Sequence, residues 1–209
     1  MTERRRTTGL LLATTVLALA AMASCSPNRG DRVSIVGDSI IEFDTEALQK
    51  DLGGEYKIAV SGTFGSKIDG VLAQSEVMAT QKFDQIIFNV GTNDAIGGVA
   101  PEESVQALSR LVALFPAARC IHIVNVNEHM VNLSTGAPVT DAARQLNEAV
   151  ERYVASDDRL SIIDWNAEAS SNLNDKDPAT STLTADSVHP NAEGNEVLNG
   201  LYSDALRSC

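Results

Sequence analysis

Three short groups of residues in this 209-residue chain carry side chains able to do chemistry together. Gly37-Asp38-Ser39 closes an apolar run that begins at Val33, and Gly91-Thr92-Asn93-Asp94 closes another. Asp186-Ser187-Val188-His189 sets an acid and an imidazole three positions apart, on the same side of a turn. Each group taken singly also reads as a plain turn, because Gly, Asp and Asn are common turn residues. Taken together they suggest nucleophilic catalysis. A serine hydroxyl attacks poorly until a neutral imidazole takes its proton. A carboxylate beside that imidazole fixes its tautomer and stabilises the imidazolium as it forms. The developing oxyanion then needs donors already in place.

Such groups work only if the fold brings them to one place. Short runs rich in Ile and Val occupy residues 33–36, 56–60, 85–90, 120–126 and 160–163. They are almost continuously apolar, as strands buried on both faces of a parallel sheet are. Helical patterns fill the intervals at 45–52, 67–80, 102–115 and 141–155, and a last helix is expected from about Asn191 to Leu206. Leu108, Leu111, Val112 and Phe115 share one helical face, as do Leu146, Val150, Tyr153 and Val154. Alternating strand and helix predict a three-layer α/β/α sandwich around a five-stranded parallel sheet. Residues 166–185, rich in Ser, Asn, Asp and Thr, read as one long loop. In such a sheet, ligands bind beyond the carboxyl ends of the strands. Ser39, the glycines of residues 61–66, Asn93, His129, Asp186 and His189 all come after strand ends and converge on that edge. His122 falls within a strand and reads as a core residue. His129 reads equally as a pocket residue or a surface one.

Over residues 32–207 the chain resembles the SGNH (GDSL-type) hydrolases. The blocks that carry the resemblance are Gly37-Asp38-Ser39-Ile40, with Ile40 where leucine is usual, then Gly65, then Gly91-Thr92-Asn93-Asp94, then Asp186-Ser187-Val188-His189. Gly62 competes with Gly65 for the second block. The resemblance implies Ser39 as nucleophile, His189 as base and Asp186 as the residue that orients the base. It assigns the oxyanion donors to the backbone N–H groups of Ser39 and Gly65 and the side-chain amide of Asn93. Within the superfamily the layout is similar to the extracytoplasmic catalytic domains of peptidoglycan O-acetyltransferases and related acyltransferase-linked domains.

The first residues concern address. Arg4-Arg5-Arg6 precede an apolar run from Leu10 to Ala23, a pattern of secretory signals and shorter than a membrane span of about 20 residues. Met22-Ala23-Ser24-Cys25 resembles a bacterial lipobox, with Met22 where leucine is usual; the plainer reading is an ordinary signal with Cys25 incidental. The expectation is a lipoprotein signal over residues 1–24, lipid on Cys25, a tether over 25–31 and a hydrolase domain over 32–209. That domain would be exported and lipid-anchored to the outer face of a bacterial cytoplasmic membrane. The formal charge of −12 argues against nucleic acid and against electrostatic docking on anionic lipid. In an oxidising compartment Cys120 and Cys209 could pair. Equally, Cys120 could be a buried thiol and Cys209 a frayed terminal one.

No Gly-x-Ser-x-Gly elbow, Walker A sequence, dinucleotide fingerprint or zinc-type Cys/His spacing occurs, so neither a metal nor an organic cofactor is implied. The expected activity is a serine esterase acting on small acyl esters, acetyl above all, on a small molecule or a cell-envelope glycan. Two alternatives stand beside it: an acyltransferase passing the same acyl group to a sugar hydroxyl, and a non-catalytic envelope-binding lipoprotein. Oligomeric state is not readable.

Overall fold

The structure, a computed structural model, describes residues 29–209; the expected signal over residues 1–24 and the lipidation site at Cys25 therefore lie outside the described residues. Five parallel strands form the central sheet: β1 (Arg32–Gly37), β2 (Lys57–Gly62), β3 (Gln85–Asn89), β4 (Cys120–Val124) and β5 (Leu160–Ile163). Their spatial order is β2-β1-β3-β4-β5, and each neighbouring pair is parallel. The chain thus winds one way from β1 to β2, returns past β1 to β3, and continues to β5. The order reverses beside β1, and there a crevice opens at the carboxyl edge.

Side chains alternate between two cores. Ile86 and Phe88 of β3 and Ile121 and Ile123 of β4 face one side, where α2 (Leu72–Ala79), α4 (Pro101–Ala113) and α5 (Thr140–Val154) pack with Val71, Leu108, Leu111 and Leu146. Val33, Ile35 and Ile87 face the other, against Ile41, Leu48, Leu198, Tyr202 and Leu206 of α1 (Ser39–Leu52) and α7 (Ala192–Ser208). Helices on both faces make the three-layer α/β/α sandwich expected from the sequence.

Three departures from the sequence reading matter for function. The first helix, α1, begins at Ser39 rather than near residue 45. Its start is set by Asp38, whose side chain accepts the Ile40 N–H at 3.0 Å and caps the helix. A short helix, α3 (Thr92–Ile96), comes directly after β3 and carries Asn93. Residues 166–185 are not one loop: they hold most of α6 (Trp165–Ser171), capped by Asp164, and an antiparallel hairpin of β6 (Leu173–Asn174) and β7 (Asp177–Ser181). The sequence does carry a mark of α6 in Asp164, a capping residue directly before the helix.

Cys120 and Cys209 form a disulfide with Cα atoms 6.0 Å apart, closing a separation of 89 residues. A loop of that length corresponds to about 4–5 kcal/mol of denatured-state restriction in the chain-entropy account. The bond ties the chain end just beyond α7 to the start of β4, while the other end of α7 adjoins the Asp186–His189 segment. His122 is buried between Gln85 Oε1 (3.1 Å) and Ser161 Oγ (2.7 Å), and burial lowers its pKa to about 4, so it remains neutral in the core.

Candidate active site

Ser39 is the first residue of α1, directly beyond the carboxyl end of β1. Its Oγ lies 2.9 Å from His189 Nε2, and His189 Nδ1 lies 2.8 Å from Asp186 Oδ2. Nδ1 donates its proton to the carboxylate, which leaves Nε2 to accept from the serine hydroxyl. Asp186 also shapes the segment that carries the ring: its Oδ1 accepts the N–H groups of Val188 (3.0 Å) and His189 (2.8 Å). Burial alone would raise the Asp186 carboxyl, but the His189 N–H, the His189 ring and the Val188 N–H together hold it below its ordinary value. It is therefore a carboxylate at neutral pH.

The segment between acid and base is held under backbone strain. Ser187 has φ +73°, a conformation that residues other than glycine seldom adopt. It persists because its partners fix it from two sides. Asn127 Nδ2 donates to the Ser187 carbonyl at 3.3 Å, and Ser187 Oγ accepts the Val131 N–H at 3.1 Å. Asn127, beyond β4, thus belongs to the support of the site. Its position after a strand puts it at the right edge, but nothing in the sequence assigns it this task. His129, near it, pairs with Ser170 Oγ at 3.0 Å and does not line the Ser39 cavity.

Ser39, Phe64, Gly65, Asn93, Val188 and His189, with Ile96 and Leu133, enclose a cavity of about 180 Å³. Gly62 and Gly65 differ in their surroundings. A side chain at Gly62 would lie 2.2 Å from the Glu42 backbone nitrogen, so that glycine serves the packing of α1 on β2. Gly65 has φ +67° and open space at its Cβ position, and its N–H has no acceptor among the described residues. The Ser39 N–H, in the first turn of α1, likewise has no intrahelical acceptor.

Asn93 lines the same cavity, yet both amide hydrogens are placed already. Nδ2 donates to Asp38 Oδ2 at 3.1 Å and to the Ser66 carbonyl at 3.0 Å. Asp38 is fully buried, and burial pushes its carboxyl up to about 6 against the pull of the Ile40 N–H, the His189 ring and the Asn93 amide. Asp38 therefore does two structural jobs: it starts α1 at Ser39 and it holds Asn93. Asp94 next door accepts from the Ile68 N–H (2.9 Å) and Ser104 Oγ (3.0 Å), away from the serine.

Residues 35–197 match the model of the GDSL-like lipase/acylhydrolase family, which is most of the chain. The chain belongs to that family. It is accordingly an enzyme of the SGNH/GDSL carboxylic-ester hydrolase class. Solved acylhydrolases of this type share the architecture. A GDSL-like lipase from Bacteroides thetaiotaomicron is 15% identical, with 85% of this chain and 88% of that one covered at a TM-score of 0.70. An acetylxylan esterase from Geobacillus stearothermophilus is 19% identical, with 85% and 94% covered at a TM-score of 0.67. A member of the lipolytic protein G-D-S-L family from Veillonella parvula is 19% identical, with 83% and 96% covered at 0.64. At these identities the likeness is one of fold. Among curated proteins, none matches the chain in sequence.

Proposed function

We propose that the protein hydrolyses short-chain acyl esters, acetyl esters foremost, through an acyl-Ser39 intermediate, on a polar carrier such as a glycan. The observation that carries this reading is the continuous chain Ser39–His189–Asp186 at hydrogen-bond distances, opening on a modest cavity of about 180 Å³. Ser39 Oγ attacks the ester carbonyl while His189 Nε2 takes its proton. The same imidazolium then protonates the leaving alcohol oxygen, which departs. Water repeats the sequence on the acyl-serine, releasing the carboxylic acid and restoring Ser39. Acetylated xylo-oligosaccharides are reasonable substrates, given the acetylxylan esterase among the structural neighbours. The lipid anchor on Cys25 and an extracytoplasmic, envelope-facing location belong to the same proposal and rest on residues 1–25 of the sequence.

The Ser39 and Gly65 N–H groups form the standing part of the oxyanion hole. Asn93 joins them by releasing the neutral Ser66 carbonyl. Its bond to the Asp38 carboxylate, being charge-assisted, is the stronger of the two and keeps the amide in place. Asn93→Ala should then lower kcat by about 10²–10³ with little change in KM, the size expected for one oxyanion donor. An effect confined to KM, or less than tenfold on kcat, would mean that the amide serves only to hold Asp38.

An acyl series on one alcohol tests the substrate class. Acetyl and propionyl esters should turn over fastest, and kcat/KM should fall steadily from butyryl to octanoyl as the chain outgrows the cavity. A maximum at octanoyl would refute the short-chain reading. Adding a saccharide acceptor to the acetyl assay distinguishes hydrolysis from transfer: free acetate should remain the main product, and acetylated saccharide as the main product would establish the acyltransferase instead.

A further inference from the structure

Helix α1 violates the usual inside–outside rule one turn beyond Ser39. Phe43 is 62% exposed, while Asp44, the next residue, is buried. The Phe43 ring lies 5.2 Å from the His189 ring and 5.8 Å from that of Phe64, which is itself 66% exposed and lines the Ser39 cavity. Two aromatic rings thus stand in water around the catalytic histidine, where burial of apolar surface would ordinarily be favoured. Departures from local rules of this kind concentrate at functional positions. Phe43 also lines an open groove of about 550 Å³ between α1 and α7, with Asp44, Glu46, Lys50 and Asn195 along it. The Ser39 cavity itself is lined also by Ile96, Leu133 and Val188, with Asn132 and Ser134 beside them.

We infer that Phe64 and Phe43 form the subsite for the leaving alcohol, and that this alcohol is a saccharide whose chain continues along the Glu46–Lys50–Asn195 groove. The inference deepens the esterase reading and rests on it for the direction of the substrate. His189 must protonate the departing oxygen, so the alcohol leaves past the ring against which Phe43 packs. The acyl group then lies in the remainder of the Ser39 cavity, beside Ile96 and Val188. An aromatic face flanked by an amide, a carboxylate and an ammonium suits a sugar chain. The apolar C–H face of a pyranose lies on the rings, and its hydroxyls reach polar groups along the groove. A hydrophobic alcohol would find two rings and then a polar channel.

The experiment compares ethyl acetate with acetylated xylotetraose and O-acetylated chitotetraose, using the wild type, Phe64→Ala and Phe43→Ala. The wild type should prefer at least one tetrasaccharide ester over ethyl acetate in kcat/KM. Each variant should lower that preference about tenfold, a loss equivalent to withdrawing part of one buried ring face. A second arm does not depend on hydrolysis. Ser39→Ala protein should bind the unacetylated form of the preferred tetrasaccharide in calorimetry, and adding Phe64→Ala should weaken that binding about tenfold. Cleavage of ethyl acetate with no saccharide preference, or a preference untouched by both variants, overturns the subsite and leaves the esterase reading standing. A shift in acyl-chain preference instead of alcohol preference overturns it too, by placing the rings on the acyl side. If the wild type cleaves no ester, the esterase reading fails, and the binding arm alone decides whether the rings hold a saccharide.

Discussion

Ser39→Ala should abolish ester hydrolysis, lowering kcat by about 10⁴–10⁶ while the fold and the thermal midpoint stay close to wild type. The size comes from the mechanism. Without Oγ no acyl-enzyme forms, and His189 and the oxyanion donors can only assist direct attack by water. The small effect on folding comes from the site's construction. Ser39 Oγ has His189 as its side-chain partner, while the cap that starts α1 is supplied by Asp38. A folded Ser39→Ala protein with more than about 1% of wild-type turnover would remove Ser39 from the chemistry; the 1% line is set well above the residual activity of disabled triads. Circular dichroism and the thermal midpoint verify that the comparison is between folded proteins.

Asp186→Asn should lower kcat by roughly 10³–10⁴, out of proportion to the replacement of one oxygen by an NH₂ group. The hydrogen bonds explain why. Oδ1 of Asp186 accepts two backbone N–H groups, from Val188 and His189. An asparagine keeps that arrangement only by placing its carbonyl oxygen there, which turns its NH₂ toward His189 Nδ1. The ring must then accept at Nδ1 and carry its proton on Nε2, the wrong tautomer for taking the Ser39 proton. The variant also loses the charge that stabilises the imidazolium. In the wild type, kcat/KM for a small acetyl ester should fall as acid is added, because a protonated ring cannot take the Ser39 proton, and reach a plateau where the ring is neutral. The carboxylate does not limit that plateau, because Asp186 is held below its ordinary value. Asp186→Asn should lower the whole plateau. An Asp186→Asn enzyme as active as wild type, or a wild-type profile flat from acid to alkaline pH, would defeat the assignment.

Much of this site is legible in the sequence because its parts sit directly after strands. Continuous Ile and Val runs locate all five strands, and an open parallel sheet gathers the residues beyond its strand ends at one edge. Ser39, Gly65, Asn93, Asp186 and His189 all stand at such positions, and the structure brings them to one cavity or its wall. The features that are not legible depend on distances or on local exceptions. The pairing of Cys120 with Cys209 needs two Cα atoms 6.0 Å apart across 89 residues, which no local pattern encodes. The start of α1 at Ser39 is missed because the helical pattern is read only from residue 45 and leaves Ile40 and Ile41 outside it, although Asp38 is a good capping residue. The strained Ser187 carries no sequence mark, since its conformation is imposed by Asn127 and Val131 from another part of the chain. At Phe43 and Asp44 the residue types run against the face they occupy: Asp44 lies on the buried face with Ile41, Leu48 and Leu52, while Phe43 faces water.

If chemistry passes through Ser39, a covalent label reads it at a single atom. Wild-type protein should be treated with a fluorophosphonate, digested and mapped by mass spectrometry. One stoichiometric adduct is expected, on the peptide containing Ser39. It should be absent from Ser39→Ala and form far more slowly in His189→Ala, because the hydroxyl then lacks its base. Rapid labelling of a different serine, or equal labelling of wild type and Ser39→Ala, would contradict it.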